Sequence, residues 1–332
     1  MQEQARLRSA RFRAEREADW KRLDAIVTRA EKQGVRSLNF DDARDLATLY
    51  RQAANSLSVA REISLDKSLL TYLEALTARA CLSVYAPQET LSGVVTRFLT
   101  IGAPQAMRRC FGHILLAFLA MGLGALAGAA LYFESADWYG LFMPGEMIGG
   151  RSPLSTVDEL KESIYQDDVS GLDQLSAFAS YLFSHNTRIA IFVFALGAFA
   201  GIMTFWLTFY NGLIIGAFVA LHIDKGLAWD IFGWLSIHGV TELSAIIVAA
   251  GAGFRLGSAV LFPGRRTRRD ALRHNGRDAV KLALVAAIML IAAAVLEGFG
   301  RQLVQDTSTR LIIGWGVGAL WLAWFTLAGR RA

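Results

Sequence analysis

The stretch LSIHGVTELSAIIVAAGAGFRLG, residues 235–257, is an apolar run that carries a histidine and a glutamate four residues apart. It is long enough to enter a membrane, because about 20 consecutive apolar residues cross the hydrocarbon core of a bilayer. Ionisable side chains are expensive at that depth, and a lone carboxylate there costs at least about 3 kcal/mol. His238 and Glu242 therefore lie in a predicted membrane span and are candidates for a site within it.

Similar apolar runs recur along the chain. Of 332 residues, 54% are hydrophobic and 19% are charged, and the charge is concentrated in residues 1–110. A soluble protein of this length is usually richer in charge. The sequence therefore predicts an all-α, polytopic integral membrane protein. We expect its crossings in the runs at residues 114–133, 189–209, 231–254, 280–296 and 311–327.

The first 88 residues predict a separate helical domain. Apolar residues recur at helical spacing within residues 5–33, after Asn39 and within residues 66–85, with Asn39 as an N-cap and Gly34 as a terminator. No catalytic constellation is visible in these helices, which favours a docking or assembly domain. Residues 89–110 predict an interfacial helix or linker on the inner leaflet. The alternative is that this segment completes the soluble domain.

The remaining residues, 111–332, predict a transmembrane bundle. The distribution of charge predicts its orientation in the membrane. Arginines cluster beside the apolar runs, and this positive-inside pattern predicts that both termini are cytoplasmic. The acidic segment 134–187 is then an extracytoplasmic loop, with one short helix in TVDELKESIYQ. The charged N-terminus predicts no cleavable signal peptide. The pattern accounts for the net charge of +5, so we expect membrane lipids and no nucleic acid as partners. The inner-leaflet arginines are Arg108, Arg109, Arg265, Arg266, Arg268 and Arg269.

The number of membrane crossings in the middle of the chain depends on where a long apolar run is divided. The run at residues 188–222 is too long for one span, and its Tyr210-Asn211-Gly212 sequence favours a turn. Two crossings that meet near Asn211, followed by a third at residues 230–261, give about six in all. Glycine pairs spaced by four let helices approach closely, either within the bundle or across a homodimer. These pairs are Gly124 and Gly128, Gly197 and Gly201, Gly212 and Gly216, Gly253 and Gly257, and Gly314 and Gly318.

Polar residues within the apolar runs form the candidate site. Asn211, His238 and Glu242 can converge if the helices are broken, with His185 and Asn186 at the outer mouth. Two interpretations remain open, a set of interhelical hydrogen bonds that only holds the bundle together and a site for transport or lipid handling. Glu297 and Arg301 predict an ion pair at the outer end of the fifth crossing, because they are four residues apart.

Enzymatic chemistry has little support in the sequence. His238 and Glu242 can supply two ligands of a metal-dependent intramembrane hydrolase, but a catalytic zinc needs a third, and nothing in the spacing points to His113 or His222. Cys81 and Cys110 make a poor zinc site. No nucleophile elbow, P-loop or His-Glu-x-x-His motif occurs. We therefore predict no catalytic residue, no metal and no cofactor.

Three segments together resemble the stage II sporulation protein M family of bacterial membrane proteins. They are SHNTRIAIFVFALGAFAG from Ser184, FYNGLIIGAFVA from Phe209 and HGVTELSAIIVAAGAGFRLG from His238, and they follow amphipathic N-terminal helices. The resemblance implies a scaffold embedded in the inner membrane of a bacterium, with a role in cell-envelope maintenance. It also implies partners such as a MoxR-type ATPase system or peptidoglycan-remodelling enzymes. The alternative function is a transporter or channel-like protein that uses the polar site.

Overall fold

Every regular element in the described part of the chain is a helix. The structure, a computed structural model, describes residues 2–62, 67–85, 91–143, 151–165, 172–300 and 303–330. Contacts divide the chain into two compact units, residues 1–94 and residues 95–332. The prediction of an all-α protein is confirmed.

The first unit contains three helices, α1 (Gln2–Gln33), α2 (Phe40–Glu62) and α3 (Lys67–Tyr85). Gly34 ends α1 as predicted and has a φ of 83°. Asn39 caps α2 as predicted, because its side chain accepts a 2.7 Å hydrogen bond from the backbone of Asp42. All the buried apolar side chains in its core come from these three helices. On the surface, Arg79 joins α3 to α1 through Asp24 and Glu31.

A bent helical segment spans the boundary between the units, and the second unit continues as a bundle. The segment consists of α4 (Leu91–Arg97), a π-helical turn (Phe98–Gly102) and α5 (Ala103–Arg109). The long helices are α6 (Phe111–Glu134), α9 (Leu172–Ala195), α10 (Ile202–Asp224), α11 (Ala228–Leu261), α12 (Arg268–Val295) and α13 (Thr307–Leu327). Two short helices, α7 (Asp137–Phe142) and α8 (Val157–Ile164), lie between α6 and α9, and a π-helical turn (Leu296–Gly300) follows α12.

Five of the long helices are long and apolar enough to cross a membrane within the described residues. They are α6, α10, α11, α12 with its π-helical turn, and α13. Helix α9, with 24 residues, packs against α11 and α12 beside them. It begins well before the run predicted at residue 189, so the acidic segment after α6 is shorter than the predicted loop 134–187. The predicted short helix in that segment is confirmed as α8, whose first turn has a capping box formed by Thr156 and Glu159.

Glycines bring α6 and α10 into backbone contact as parallel neighbours. A methyl group on Gly124 would lie 2.0 Å from the carbonyl oxygen of Phe209, and one on Gly128 would lie 2.1 Å from that of Leu213. No side chain fits at such distances, so glycine is required for this approach. The glycines of α10 make the reciprocal contacts, Gly212 with Met121 and Gly216 with Ala125.

Helix α11 is the centre of the bundle and packs against α6, α9, α10, α12 and α13. The glycine pairs at 253/257 and 314/318 again mark its close contacts. A methyl group on Gly253 would lie 2.2 Å from the carbonyl oxygen of Val193, and one on Gly314 would lie 1.9 Å from that of Ser236. At least one member of each predicted glycine pair therefore packs inside the unit, as the sequence suggested.

The predicted turn at Asn211 is wrong. Helix α10 runs unbroken through Tyr210, Asn211 and Gly212. The chain instead breaks at residues 196–201, within the run that the sequence assigned to one crossing, and Ala200 and Gly201 there have positive φ angles of 58° and 75°. The Asn211 amide donates a 2.8 Å hydrogen bond to the Leu207 carbonyl of the preceding turn, and Gly212 packs on α6, so this Asn-Gly pair serves a helix.

Arginines tie the bent segment to the bundle at the end that we call the basic end, where α11 meets the exposed arginines 265–269. The guanidinium of Arg108 donates hydrogen bonds to the carbonyl oxygens of Phe325 (2.8 Å) and Ala328 (2.7 Å), at the end of α13. Arg109 forms two hydrogen bonds with Asp278 of α12, at 2.6 and 3.0 Å. Residues 98–109 therefore belong to the membrane unit.

Candidate functional site

Three ionisable side chains meet inside the bundle. The Nε2 atom of His238 lies 3.9 Å from Oε2 of Glu242 and 3.8 Å from Oε1 of Glu297. One nitrogen and two carboxylate oxygens, one from each residue, all lie within 4.8 Å of one another. The predicted proximity of His238 and Glu242 is therefore present, and the structure adds a second carboxylate.

Helix geometry explains how the three side chains converge. His238 and Glu242 are four residues apart on α11 and so share one face. Glu297 lies in the π-helical turn after α12, a helix that packs along α11. Turns of this kind are often found at functional sites.

Sequence reasoning missed Glu297, although a signal was present. The buried residues Ala286, Met289 and Ala293 form a stripe on α12, and Glu297 is the next position of that stripe. A charged residue at the end of an apolar run is ordinarily assigned to the interface, which is where we expected it. Its predicted partner, Arg301, lies outside the described residues.

Burial gives this group its electrostatic character. The side chains of His238 and Glu297 are each 6% exposed, and that of Glu242 is 13% exposed. Buried carboxylates carry a large desolvation penalty unless a proton, a basic group or a metal ion compensates their charge. The imidazole of His238 lies within 4 Å of both carboxylates, and a protonated histidine carries charge enough to balance only one of them.

Aromatic and polar side chains close the group toward the end opposite the arginines. Trp234 packs edge-on against His238, with ring centroids 5.5 Å apart and planes at 87°. The guanidinium of Arg151 stands 5.4 Å from the Trp234 ring and donates a 3.0 Å hydrogen bond to Ser163 of α8. Helix α8 buries Ile164 against the same tryptophan. The segment between α6 and α9 therefore covers this end of α11.

A second polar group lies nearer the same end. The hydroxyl of Tyr165 donates a hydrogen bond to Asp230 and is 3.0 Å from the hydroxyl of Thr307. Burial, followed by the hydrogen bond with Asp230, raises the pKa of Tyr165, so the phenol stays protonated and keeps its role as a donor. Arg310 is 1% exposed and lies 5.5 Å from the Tyr165 ring. These residues connect α8 to the starts of α11 and α13.

Several predicted site residues lie elsewhere. The Asn211 amide forms its hydrogen bond within α10. Among the described residues it makes no hydrogen bond with His238, Glu242 or Glu297, which we call the His238 group. His185 and Asn186 are half-buried on α9. Neither of the histidines considered as a third ligand joins the group, because His113 contacts Ser258 and His222 contacts the carbonyl of Phe218.

The remaining basic residues fall into two sets. Arg108 and Arg109 make the structural contacts described above, whereas Arg265, Arg266, Arg268 and Arg269 are exposed in and after the turn between α11 and α12. The exposed set leaves a dense positive charge at the basic end.

Fold and site together define a polytopic, all-α integral membrane protein with a buried His-Glu-Glu group. Residues 111–300, more than half of the chain, match the family described as stage II sporulation protein M, and the chain belongs to that family. Residues 10–86 match a separate domain of unknown function (DUF8413).

Comparison with individual proteins adds one relative. The chain is 24% identical to an uncharacterized protein of Methanocaldococcus jannaschii over 118 residues, which are 35% of this chain and 66% of that protein. No solved structure matches the chain.

Proposed function

We propose that this protein is a membrane-embedded scaffold of a bacterial envelope-maintenance complex, in which the first unit recruits partner proteins. The modular build of the chain carries the proposal. One module, residues 10–86, and another, residues 111–300, match different families, and the first unit has a core made only of its own helices. A self-contained helical module joined to a membrane unit is the arrangement that an adaptor needs.

The described packing of the membrane unit favours a static role. The glycine contacts hold α6, α10 and α11 at backbone distance, and the His238 group is buried. Tightly packed interiors transmit strain and resist deformation. The partners consistent with the family are a MoxR-type ATPase system and peptidoglycan-remodelling enzymes. The proposed location is the inner membrane, with both termini in the cytoplasm.

Affinity purification tests the scaffold proposal. The full chain and a chain lacking residues 1–88 are expressed at equal levels, and co-purified proteins are quantified by mass spectrometry. We expect the truncated chain to lose its partners while its membrane unit keeps the thermal stability of the full chain. Recovery of the same partners by the truncated chain would refute the proposal.

Ion-coupled transport is the second candidate, and the convergence of His238, Glu242 and Glu297 favours it. Ionisable residues inside a membrane commonly serve proton or ion pathways. Reconstitution of the wild type and of Glu242→Gln into liposomes tests it, with ion flux as the readout. Transport requires a flux that Glu242→Gln abolishes without loss of folding. Equal flux in protein-free liposomes and in wild-type liposomes excludes this function for the ions tested.

A further inference from the structure

We propose that His238, Glu242 and Glu297 bind a divalent transition-metal ion, for which Zn²⁺ is the probe. The proposal concerns binding alone and is independent of the scaffold role. It departs from the sequence-based expectation of no metal site, because Glu297 supplies the third ligand that the sequence did not place.

The spacing of the three donor atoms suits one ion. Their mutual distances are at most 4.8 Å, and the two that involve His238 are 3.8 and 3.9 Å. Zinc bonds of about 2.0–2.2 Å place tetrahedral ligand atoms roughly 3.3–3.6 Å apart. Small rotations of the two glutamate side chains would bring the observed distances to those of a zinc site. The distances from Nε2 of His238 to the two carboxylates are longer than direct hydrogen bonds.

Charge argues for a cation at this position. Glu242 is a carboxylate in a buried position, and an ionised acid there needs a compensating positive charge. For Glu242, the basic group within 4 Å among the described residues is His238 itself. A bound cation supplies that charge and leaves the histidine neutral, which is the form that coordinates metals.

The mixture of donors selects the class of metal. Imidazole nitrogen suits zinc, iron, nickel and copper, whereas magnesium and calcium prefer sites made only of oxygen ligands. One nitrogen and two carboxylates therefore favour a transition ion. Three protein ligands leave a fourth position open, as in zinc sites that hold a water molecule.

A buried hydroxyl on the same helix as His238 is a second observation in favour of a ligand. Thr241 is 1% exposed, and its Oγ1 atom has no hydrogen-bond partner among the described residues. It is three residues after His238 and so lies toward the same side of α11. Buried hydroxyls without partners are costly, and a water molecule on a bound ion would supply one.

Metal binding by the full-length protein tests the proposal. The protein is purified in detergent through a tag without histidines, stripped with a chelator and titrated with Zn²⁺ against a chromophoric competitor. We expect one tight site per chain, a rise in the unfolding temperature on binding and no competition from a large excess of Mg²⁺. The visible spectrum of bound Co²⁺ reports the ligands directly.

Variants assign the site to these residues. We expect Glu242→Gln and Glu297→Gln each to weaken Zn²⁺ binding at least about tenfold, since each removes a charged ligand. His238→Cys should retain binding and add a thiolate band to the Co²⁺ spectrum, which a merely structural histidine would not do. His113→Gln and Glu159→Gln are matched controls remote from the site and should bind as the wild type does.

Two results would overturn the proposal. One is the lack of a stoichiometric Zn²⁺ site in the folded wild type, which would leave the group holding protons only. The other is tight binding that survives Glu297→Gln and Glu242→Gln unchanged, which would place the metal elsewhere. If either glutamine variant fails to fold, the His238→Cys spectrum decides, because a Co²⁺ spectrum without a thiolate band also contradicts the assignment.

Discussion

Glu297, in the π-helical turn after α12, lies with its Oε1 atom 3.8 Å from Nε2 of His238 on α11. The contact joins two helices through ionisable side chains that are each 6% exposed. His238 is thus the shared neighbour of two carboxylates, one on its own helix and one across the helix interface. The imidazole is therefore the group through which the two carboxylates are connected.

We therefore expect His238→Leu to destabilise the metal-free protein more than Glu242→Leu does. The histidine variant leaves two buried carboxylates without their shared base, whereas the glutamate variant leaves His238 beside Glu297. A difference of about 1–3 kcal/mol follows from the cost of an unsatisfied buried polar group. Chemical unfolding in detergent with a chelator present measures it. Glu242→Gln keeps the shape of the side chain and should be tolerated.

A double-mutant cycle between His238 and Glu297 checks this explanation. Residues in direct contact typically show coupling energies of about 0.5–3 kcal/mol. Additive effects of the two substitutions would contradict a direct interaction.

We expect Gly124→Ala to destabilise the bundle strongly, because the new methyl group would lie 2.0 Å from the carbonyl oxygen of Phe209. Helices α6 and α10 would have to separate. Gly122, on the same helix, provides the control, because a methyl group added there would meet nothing within 4 Å. Gly122→Ala should be neutral or stabilising by up to about 1 kcal/mol through helix propensity. The unfolding temperatures of both variants in detergent give the comparison, and equal values would argue against the close contact.

Ala200 and Gly201 should respond in opposite directions. Ala200 has a φ of 58°, a conformation that costs a residue with a Cβ atom roughly 1–2 kcal/mol, so Ala200→Gly should relieve strain. Gly201 has a φ of 75°, and a methyl group there would lie 3.2 Å from the Phe254 ring, so Gly201→Ala should destabilise. Thermal unfolding of the two variants tests this pair. Destabilisation by both substitutions would indicate that the turn does not have this geometry.

In the first unit, Arg79→Ala should lower stability near neutral pH and have less effect in acid. The hydrogen bond from Arg79 lowers the pKa of Glu31 below its ordinary value of 4.5. A lowered pKa in the folded state adds stability above the ordinary value, and this contribution is lost as the pH falls through the lowered one. Because both side chains are more than a third exposed, we expect only about 1 kcal/mol at neutral pH.

Urea unfolding of a fragment of residues 1–94 measures the Arg79 effect, since its core is its own. Arg51→Ala is the control, because Arg51 donates its hydrogen bond to the Ala47 carbonyl of its own helix. The free energies of unfolding of Arg79→Ala and of the wild type should converge at pH values well below 4.5. If their difference persists unchanged there, packing rather than charge is responsible.

Apolar runs and caps were enough to predict the helical class and most of the helices, because their periodicity and length are local properties. The Asn211-Gly212 pair misled us for a physical reason. Glycine serves both a tight turn and a close helix contact, and which one applies depends on α6, about 90 residues earlier in the chain. The real break at Ala200 includes a residue whose strain only the folded structure reveals.

The site was predictable in part for the same reason. His238 and Glu242 share a helix face, and the i to i+4 rule needs no tertiary information. The position of Glu297 cannot be predicted without tertiary information. A glutamate at the end of a span faces either the interface or the interior, according to how α12 packs on α11. Asn211 was assigned to the site on the strength of a break that does not exist, and its amide bonds to its own helix instead.

The contact of Arg108 with the end of α13 has a consequence for biosynthesis. Its acceptor at Phe325 is 217 residues further along the chain. At synthesis rates of about 5–20 residues per second, roughly ten to forty seconds separate the two on the ribosome. During that interval the guanidinium of Arg108 lacks the carbonyl acceptors that it has in the folded chain. Its hydrogen bonds to α13 form only after that helix has been made, so a chain truncated before α13 would leave Arg108 without these two acceptors.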